Sequence, residues 1–214
     1  MNHVDLTPDL LLTAYANGVF PMADSAESEE IFWLDPHDRG VLPLDGFHIS
    51  RSLARVIRRE TFTITLNRDF RAVMRGCADR ETTWINRTIH ELYGTLHDEG
   101  FAHSIEVWEG ERLVGGSYGI ALGSAFFGES MFSYATNASK VALAYLTTHL
   151  RAKGFTLFDT QFITPHLASL GGEEIPRTAY HARLAQALQK QAEFGRTEEL
   201  PSPQDVLQAS GHTS

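Results

Sequence analysis

With a single cysteine, Cys77, among its 214 residues, the chain forms no internal disulfide and offers no pair of thiolates to a metal. No apolar run approaches the roughly 18 residues needed to cross a bilayer, and the opening MNHVDLTPDL lacks the basic and apolar regions of a secretory signal. These absences set the expectation of a soluble protein in a reducing, cytoplasmic compartment, with no membrane partner. There is no internal repeat. Basic residues are outnumbered, 18 Lys and Arg against 27 Asp and Glu, and a net charge of -9 argues on its face against a polyanion partner.

What is present is ordinary globular composition, 43% hydrophobic and 21% charged, enough to bury a core in one large domain or in a domain with a small companion. The charge is unevenly spread. Between Phe47 and Arg87 nine arginines meet four acids, a local +5, while the rest of the chain carries -14. Such a split lets one face receive an anionic partner and another attract a cationic substrate, although charge alone favours a solvated Arg-rich helix.

Local signals divide the chain into elements. Thr7 and Pro8 open a helix that Asn17 and Gly18 close. A stretch punctuated by Pro and Asp runs from Phe20 to Asp45. Ser50 caps a helix that turns Leu53, Val56 and Ile57 inward and leaves Arg51, Arg55, Arg58 and Arg59 on the other side. TFTITL alternates as a strand with Phe62, Ile64 and Leu66 on one face. Helices are expected from Arg68 to Cys77 and from Arg87 to Glu99, the second capped by Asn86 and stopped at Gly100. Three strand-like runs with turns at Gly110 and Gly123 predict an antiparallel meander, and Asn137 is expected to cap the long helix ASKVALAYLTTHLRAKG. A strand over LFDTQ and a helix from about Thr178 to Ala192 complete an α+β, or mixed α/β, pattern on one sheet. Within that strand Asp159 and Gln161 share one face while Phe158, Thr160 and Phe162 take the other, so a polar face sits where core is expected.

Generic chemistries fit poorly. His90 and His97 lie seven apart rather than the four of a zinc-binding helix, so no metal site is expected. Ser130, Asp159 and His166 run in hydrolase order, but GESMF puts Phe132 where a nucleophile elbow needs glycine. A meander feeding a long helix and then a strand is the organisation of acyl-CoA N-acyltransferases, which hold pyrophosphate on a Gly-rich loop at the helix N-terminus. The matching segment here, SMFSYATNASK, has no glycine.

From AYANGVFP through FWLDP, HISRSLARVIRR, TWI, AHSIEVWEG, LVGGSYG and FFGESMFS to NASK, DTQ, HLASLG and IPR, the chain resembles the leucyl/phenylalanyl-tRNA-protein transferases, in the same order over residues 11–180. The resemblance implies an acetyltransferase-like (GNAT-like) sheet with flanking helices and a small N-terminal domain. On that reading residues 1–60 form the small domain with the basic helix, 61–194 the catalytic domain, and 195–214 a polar, loosely ordered tail. It implies transfer of Leu, Phe or less readily Met from aminoacyl-tRNA onto the N-terminal Arg or Lys of proteins, marking them for degradation, with neither metal nor organic cofactor.

The resemblance also carries roles. It makes Asp159 and Gln161 the catalytic pair. An amide oxygen is a poor base, so Gln161 is expected to orient the amine, and Asp159 or a terminal ribose hydroxyl to carry the proton. Glu129 matches a residue that grips an ammonium group; on sequence alone a strand-end carboxylate in solvent reads equally well. Trp33 and Trp84 match positions beside the terminal adenosine. The Leu143, Leu146, Leu150 stripe, whose spacing ordinarily means core, matches the lining of the amino-acid pocket, with Phe126 and Phe158. Ser117 stands where some relatives have Met, which leaves the relative use of Phe and Leu open. Arg51, Arg55, Arg58 and Arg59 match a basic patch for the tRNA acceptor stem. An acyl-CoA N-acyltransferase and a non-catalytic tRNA-binding module are the alternatives.

Overall fold

The computed structural model describes residues 6–23, 25, 28 and 31–209. Residues 1–5 and 210–214, which fall in the expected N-terminal domain and tail, lie outside them. Helix α1 (Pro8–Ala16) begins where the Thr7 hydroxyl accepts from the Leu10 N–H, with Pro8 in the first turn where no donor is required. Strand β1 (Phe20–Ala23) pairs antiparallel with β2 (Ile31–Leu34) as a separate two-stranded sheet. Then come β3 (Asp38–Val41), α2 (Arg51–Arg58) and β4 (Thr63–Leu66). Helix α3 (Phe70–Ala78) starts slightly later than expected because Asp69, not a residue before it, accepts from the Ala72 N–H as the cap. Helix α4 (Arg87–Asp98) is capped by Asn86 as its sequence predicts.

The meander is β5 (Ala102–Glu109), β6 (Arg112–Leu122) and β7 (Ala125–Ser133), with Gly110 and Gly123 at φ +60° and +59° in the two turns. Helix α5 (Ala138–Ala152) crosses to β8 (Leu157–Gln161), and α6 (Pro165–Ala168), β9 (Glu173–Pro176), α7 (Arg177–Leu188), a 3-10 turn (Thr197–Glu199) and α8 (Pro203–Ala209) follow. The seven-stranded order is β4-β5-β6-β7-β8-β3-β9, antiparallel throughout except for the parallel β7-β8 pair joined by α5. This is a mixed α/β arrangement with helices on both faces of one large sheet, as the sequence leads one to expect.

Each face of the sheet carries its own core. One is built from Leu11, Val73, Ile89, Tyr93, Phe127 and Leu184, with α1, α3, α4 and α7. The other is built from Leu53, Ile57, Phe126, Leu143, Leu146 and Phe158, with α2, α5 and α8. At about 25 cal/mol per Å² of apolar area removed from water, two-sided burial of this kind is the main stabilising term.

Several expectations need correction. Asn137 does not cap α5 with its side chain; it sits at φ +69°, in the left-handed region, and makes no capping bond. A division at residue 60 does not follow the sheet, because β3 lies between β8 and β9 within it. Residues 195–209 are not loose. The Thr197 hydroxyl accepts from the Leu66 N–H at 2.8 Å and donates to its carbonyl at 3.1 Å, and Val206 is fully buried where α8 packs on α2 and α5. A polar composition hid a short amphipathic helix with one anchoring side chain. Replacing that anchor by a charge, Val206→Asp, is expected to lower stability by about 3 kcal/mol, read as a fall in the melting midpoint. A loosely ordered tail would leave the midpoint unmoved.

Candidate active site

Strands β7 and β8 pair only from Ala125–Leu157 to Phe127–Asp159, although both continue further. A register shift between Tyr118 and Gly119 on β6 skips Glu129, so that Gly128 pairs with Gly119 and Ser130 with Tyr118. Where the pairing stops there is a cavity of about 480 Å³, bounded by Gly128, Glu129 and Met131 of β7 and by Phe158, Thr160 and Gln161 of β8. Leu143 of α5 and Leu167 of α6 add apolar wall; Met22, Arg80, Trp84 and Phe162 are among the other lining residues. The result is a largely apolar chamber with one carboxylate among the described lining residues.

Strand alternation holds as far as Thr160 and then breaks. Gln161 has φ +64°, a left-handed conformation that costs a non-glycine residue about 1 to 3 kcal/mol, and its side chain therefore joins Phe158 and Thr160 on the cavity instead of sharing a face with Asp159. Two bonds hold it there. Its N–H donates to Asp159 Oδ1 at 2.8 Å, and its Nε2 donates to Glu129 Oε1 at 3.0 Å.

Asp159 itself is fully buried and forms no part of the cavity lining. Arg39 Nε and Nη2 donate to its two oxygens at 2.9 and 2.7 Å, and the Tyr180 hydroxyl donates to Oδ2 at 2.7 Å. With the Gln161 N–H, that makes two donors on each oxygen. Arg39 is equally enclosed. Its guanidinium lies 4.5 Å from the Phe20 ring centre and 4.3 Å from that of Tyr180, and also donates to the Gly18 carbonyl at 2.9 Å. Asp159 therefore reaches the cavity through Gln161 alone, which is at odds with a proton path on its own oxygens.

Glu129 is only 8% exposed, yet it lines the cavity. Its Oε1 accepts from Tyr15 at 2.6 Å as well as from Gln161, and its Oε2 accepts from Tyr93 at 3.0 Å. The two tyrosine hydroxyl oxygens also lie against each other, and with one proton each they cannot donate both to Glu129 and to one another. All three donors are neutral, and no ion pair to Glu129 exists among the described residues. Its carboxyl is pushed up to about 7 by burial above all, with the bonds from Tyr15, Tyr93 and Gln161 opposing the rise and the charge of Asp159 adding to it. A buried carboxylate without a cation is fitted to receive one from a ligand.

The remaining residues singled out from sequence divide into three groups. Trp84, Ser117, Glu129, Leu143, Phe158 and Gln161 share the cavity. Phe126, Leu146 and Leu150 are buried in the core behind it, Phe126 edge-on to Phe158 at 5.4 Å, and Trp33 is 39% exposed on β2, outside the lining. The Ser117 hydroxyl donates to the Ser130 carbonyl at 2.9 Å, so it occupies a backbone acceptor of β7. Arg51, Arg55, Arg58 and Arg59 line a separate groove with Ile49 and Leu207, and none of the four forms an ion pair among the described residues. Sequence reading missed Tyr15, Arg39, Tyr93 and Tyr180, because an isolated polar group in an apolar helix or a four-residue strand has no periodicity to mark it. Arg39 alone left a trace, as an arginine inside a Pro- and Asp-punctuated stretch.

A family model described as leucyl/phenylalanyl-tRNA protein transferase matches residues 41–185, and the model of that family's N-terminal domain matches residues 4–37. A leucyl/phenylalanyl-tRNA-protein transferase of Cereibacter sphaeroides is 63% identical over 209 residues, 98% of each chain. One from a Ruegeria species is 61% identical over 98% of this chain and 99% of its own. Among solved structures, one described as FemX aligns with 76% of this chain and 61% of its own at 14% identity and a TM-score of 0.47.

The Arg39 and Asp159 pair can be tested apart from activity. Arg39→Met leaves the Asp159 carboxylate buried beside an apolar chain and is expected to lower unfolding free energy by about 3 to 5 kcal/mol. Denaturant titration measures it, and a loss under 1 kcal/mol would show that water or another group replaces the guanidinium.

Proposed function

The chain belongs to the leucyl/phenylalanyl-tRNA-protein transferase family, and from that premise together with the cavity we infer that it moves Leu, Phe and less readily Met from aminoacyl-tRNA to the N-terminal Arg or Lys of proteins. The product carries a destabilising N-terminus that marks the protein for degradation. The observation that supports this reading best is Glu129, a carboxylate with neutral partners only, in the lining of an otherwise largely apolar chamber.

Such a chamber suits an aminoacyl ester. Met131, Leu143, Phe158 and Leu167 offer apolar contact for a Leu or Phe side chain. Apolar walls separate similar side chains by only about 1 to 3 kcal/mol per methylene, which fits use of Leu, Phe and Met together. Glu129 attracts an ammonium group. The ester is already activated by its link to tRNA, so the enzyme's tasks are orientation, proton removal and stabilisation of the oxyanion. Gln161, with Nε2 given to Glu129, keeps its amide oxygen to orient the incoming amine. Asp159 acts as a positioning residue that holds Gln161 in its left-handed conformation. Trp84 at the cavity and exposed Trp33 on β2 offer aromatic faces for the terminal adenosine.

The groove formed by Arg51, Arg55, Arg58 and Arg59 suits the phosphates of the acceptor stem. An acyl-CoA enzyme of this fold would need a phosphate loop at the start of α5, where the chain instead turns through Asn137 without a glycine. Labelled Leu-tRNA and a peptide beginning with Arg test the assignment: transfer of label to the peptide is expected, whereas acetyl-CoA turnover with no transfer would overturn it. The groove generates a separate expectation. Arg55→Ala combined with Arg58→Ala should raise KM for aminoacyl-tRNA at least tenfold and weaken its salt dependence, while a minimal aminoacyl-adenosine donor is used as before. Equal losses with both donors would remove the groove from tRNA binding.

A further inference from the structure

An α-amine arrives as ammonium, with a pKa of about 7.7 to 8.0, and must be neutral before it can attack an ester carbon. Its proton needs an acceptor in the cavity. Among the described residues three ionisable side chains contribute to the lining, Arg80, Glu129 and His166. Arg80 remains cationic in proteins and takes up no further proton. His166 has an enclosed Nε2 without a partner, and burial, helped by the charge of Lys140, lowers its pKa and makes it a poorer base. Asp159 lies outside the cavity with two donors on each oxygen.

We propose that Glu129 takes the proton from the acceptor's α-ammonium, and that Tyr15 and Tyr93 are positioning residues which set the pH at which it can do so. The proposal rests on the aminoacyl-transfer reading above. In the step, the proton passes from the ammonium to Glu129, leaving a neutral amine and a neutral carboxylic acid. The amine nitrogen then bonds to the ester carbon, the bond from that carbon to the ribose oxygen breaks, and a second amine proton goes to the departing oxygen. Glu129 later releases its proton to solvent, so one ammonium and one ester give one amide, one hydroxyl and one proton.

Two physical arguments support the choice of base. Proton transfer from a buried ammonium to a buried carboxylate removes two charges from a low-dielectric site, which favours it there more than in water. The transfer is also well matched, since burial holds the Glu129 carboxyl at about 7, close to the amine, where an ordinary carboxylate near 4.3 would be too weak a base. The groups around Glu129 account for that value. Burial raises it most; Tyr15 from α1, Tyr93 from α4 and Gln161 from β8 lower it by hydrogen bonding, and Asp159 from β8 raises it. Tyr118 of β6, which feels Glu129, Cys77 of α3 and Arg80 just beyond that helix, completes the titratable surroundings among the described residues.

The sign of the pH effect follows. Glu129 must be ionised to act, so transfer rises with pH as the carboxyl loses its proton. Removing a tyrosine hydroxyl removes a donor to the ionised form, raises the Glu129 pKa and moves the acidic limb to higher pH. The test is kcat against pH from 5.5 to 8.5, with a minimal Leu-adenosine donor and an Arg-peptide, for wild type, Tyr15→Phe, Tyr93→Phe, the double variant, Glu129→Gln and His166→Gln. Each lost hydroxyl should slow transfer about tenfold at pH 6, with the deficit closing towards pH 8.5. Glu129→Gln should lose transfer throughout and with it the acidic limb, and His166→Gln should leave the position of the limb unchanged.

A limb that stays in place in the tyrosine variants, with activity lowered equally at every pH, would show packing roles only and overturn the proposal. So would a limb that survives Glu129→Gln or moves in His166→Gln. If one tyrosine variant fails to fold, the other single variant still reads the shift. Failure of the wild type to transfer Leu at all would instead sink the aminoacyl-transfer reading on which the proposal stands.

Discussion

The fully buried pair of Arg39 and Asp159 is the contact on which the site depends. Arg39 comes from β3 and Asp159 from β8, and the same guanidinium bonds the Gly18 carbonyl and lies between Phe20 and Tyr180. One side chain thus joins the turn after α1, strand β1, two strands of the main sheet and helix α7. A buried ion pair adds little net stability compared with an apolar pair, because desolvating two charges offsets most of their attraction. Its use here is geometric. Neither partner can leave without stranding the other, so the end of β8 is held in one place.

The candidate site starts where that constraint ends. Asp159 accepts from the Gln161 N–H, Gln161 turns into the left-handed region, and its side chain reaches Glu129, which Tyr15 and Tyr93 hold from α1 and α4. The polar chain runs from a charge pair sealed inside the protein to a lone carboxylate on the cavity. The energetic logic changes along it. At the sealed end every lone pair is occupied and the charge is matched; at the cavity end hydrogen bonding is nearly complete but the counter-charge is missing. A site arranged in this way favours a cationic ligand over a neutral one, and the surrounding Met131, Leu143 and Phe158 deny that cation the solvation it would have in water.

Much of the fold was legible because its longer elements follow simple periodicities. The meander showed through its glycine turns, and α1, α2 and α4 through side-chain caps that the structure contains. Strands β3 and β9 were not legible, being four residues each, and β3 is specified by a buried ion pair and close backbone approach instead of a hydrophobic pattern. At Gly40 an added Cβ would lie 2.6 Å from the Phe162 carbonyl carbon, a tertiary reason for glycine that no local rule reports. The site divides likewise. Asp159 and Gln161 drew notice because they interrupt an apolar strand, but alternation assigned them one face, and only the positive φ of Gln161 separates an enclosed carboxylate from an amide on the cavity. The leucine stripe of α5 was half informative, since Leu143 lines the cavity while Leu146 and Leu150 are core.

The charge pattern closes the argument about the -9 net charge. Arg51, Arg55, Arg58 and Arg59 lie along α2 without ion pairs among the described residues, while Arg39, the one arginine that is fully buried, is completely satisfied. The groove thus gathers four cations and the cavity holds a carboxylate, none of them in an ion pair among the described residues. Net charge averages these two surfaces away. A partner that brings phosphate to the groove and a substrate that brings an amine to the cavity meet opposite potentials on one molecule, and since a Debye length is about 8 Å in physiological salt, each is felt locally. The overall acidity then bears on solubility, whereas the groove and the cavity each present a local potential of their own.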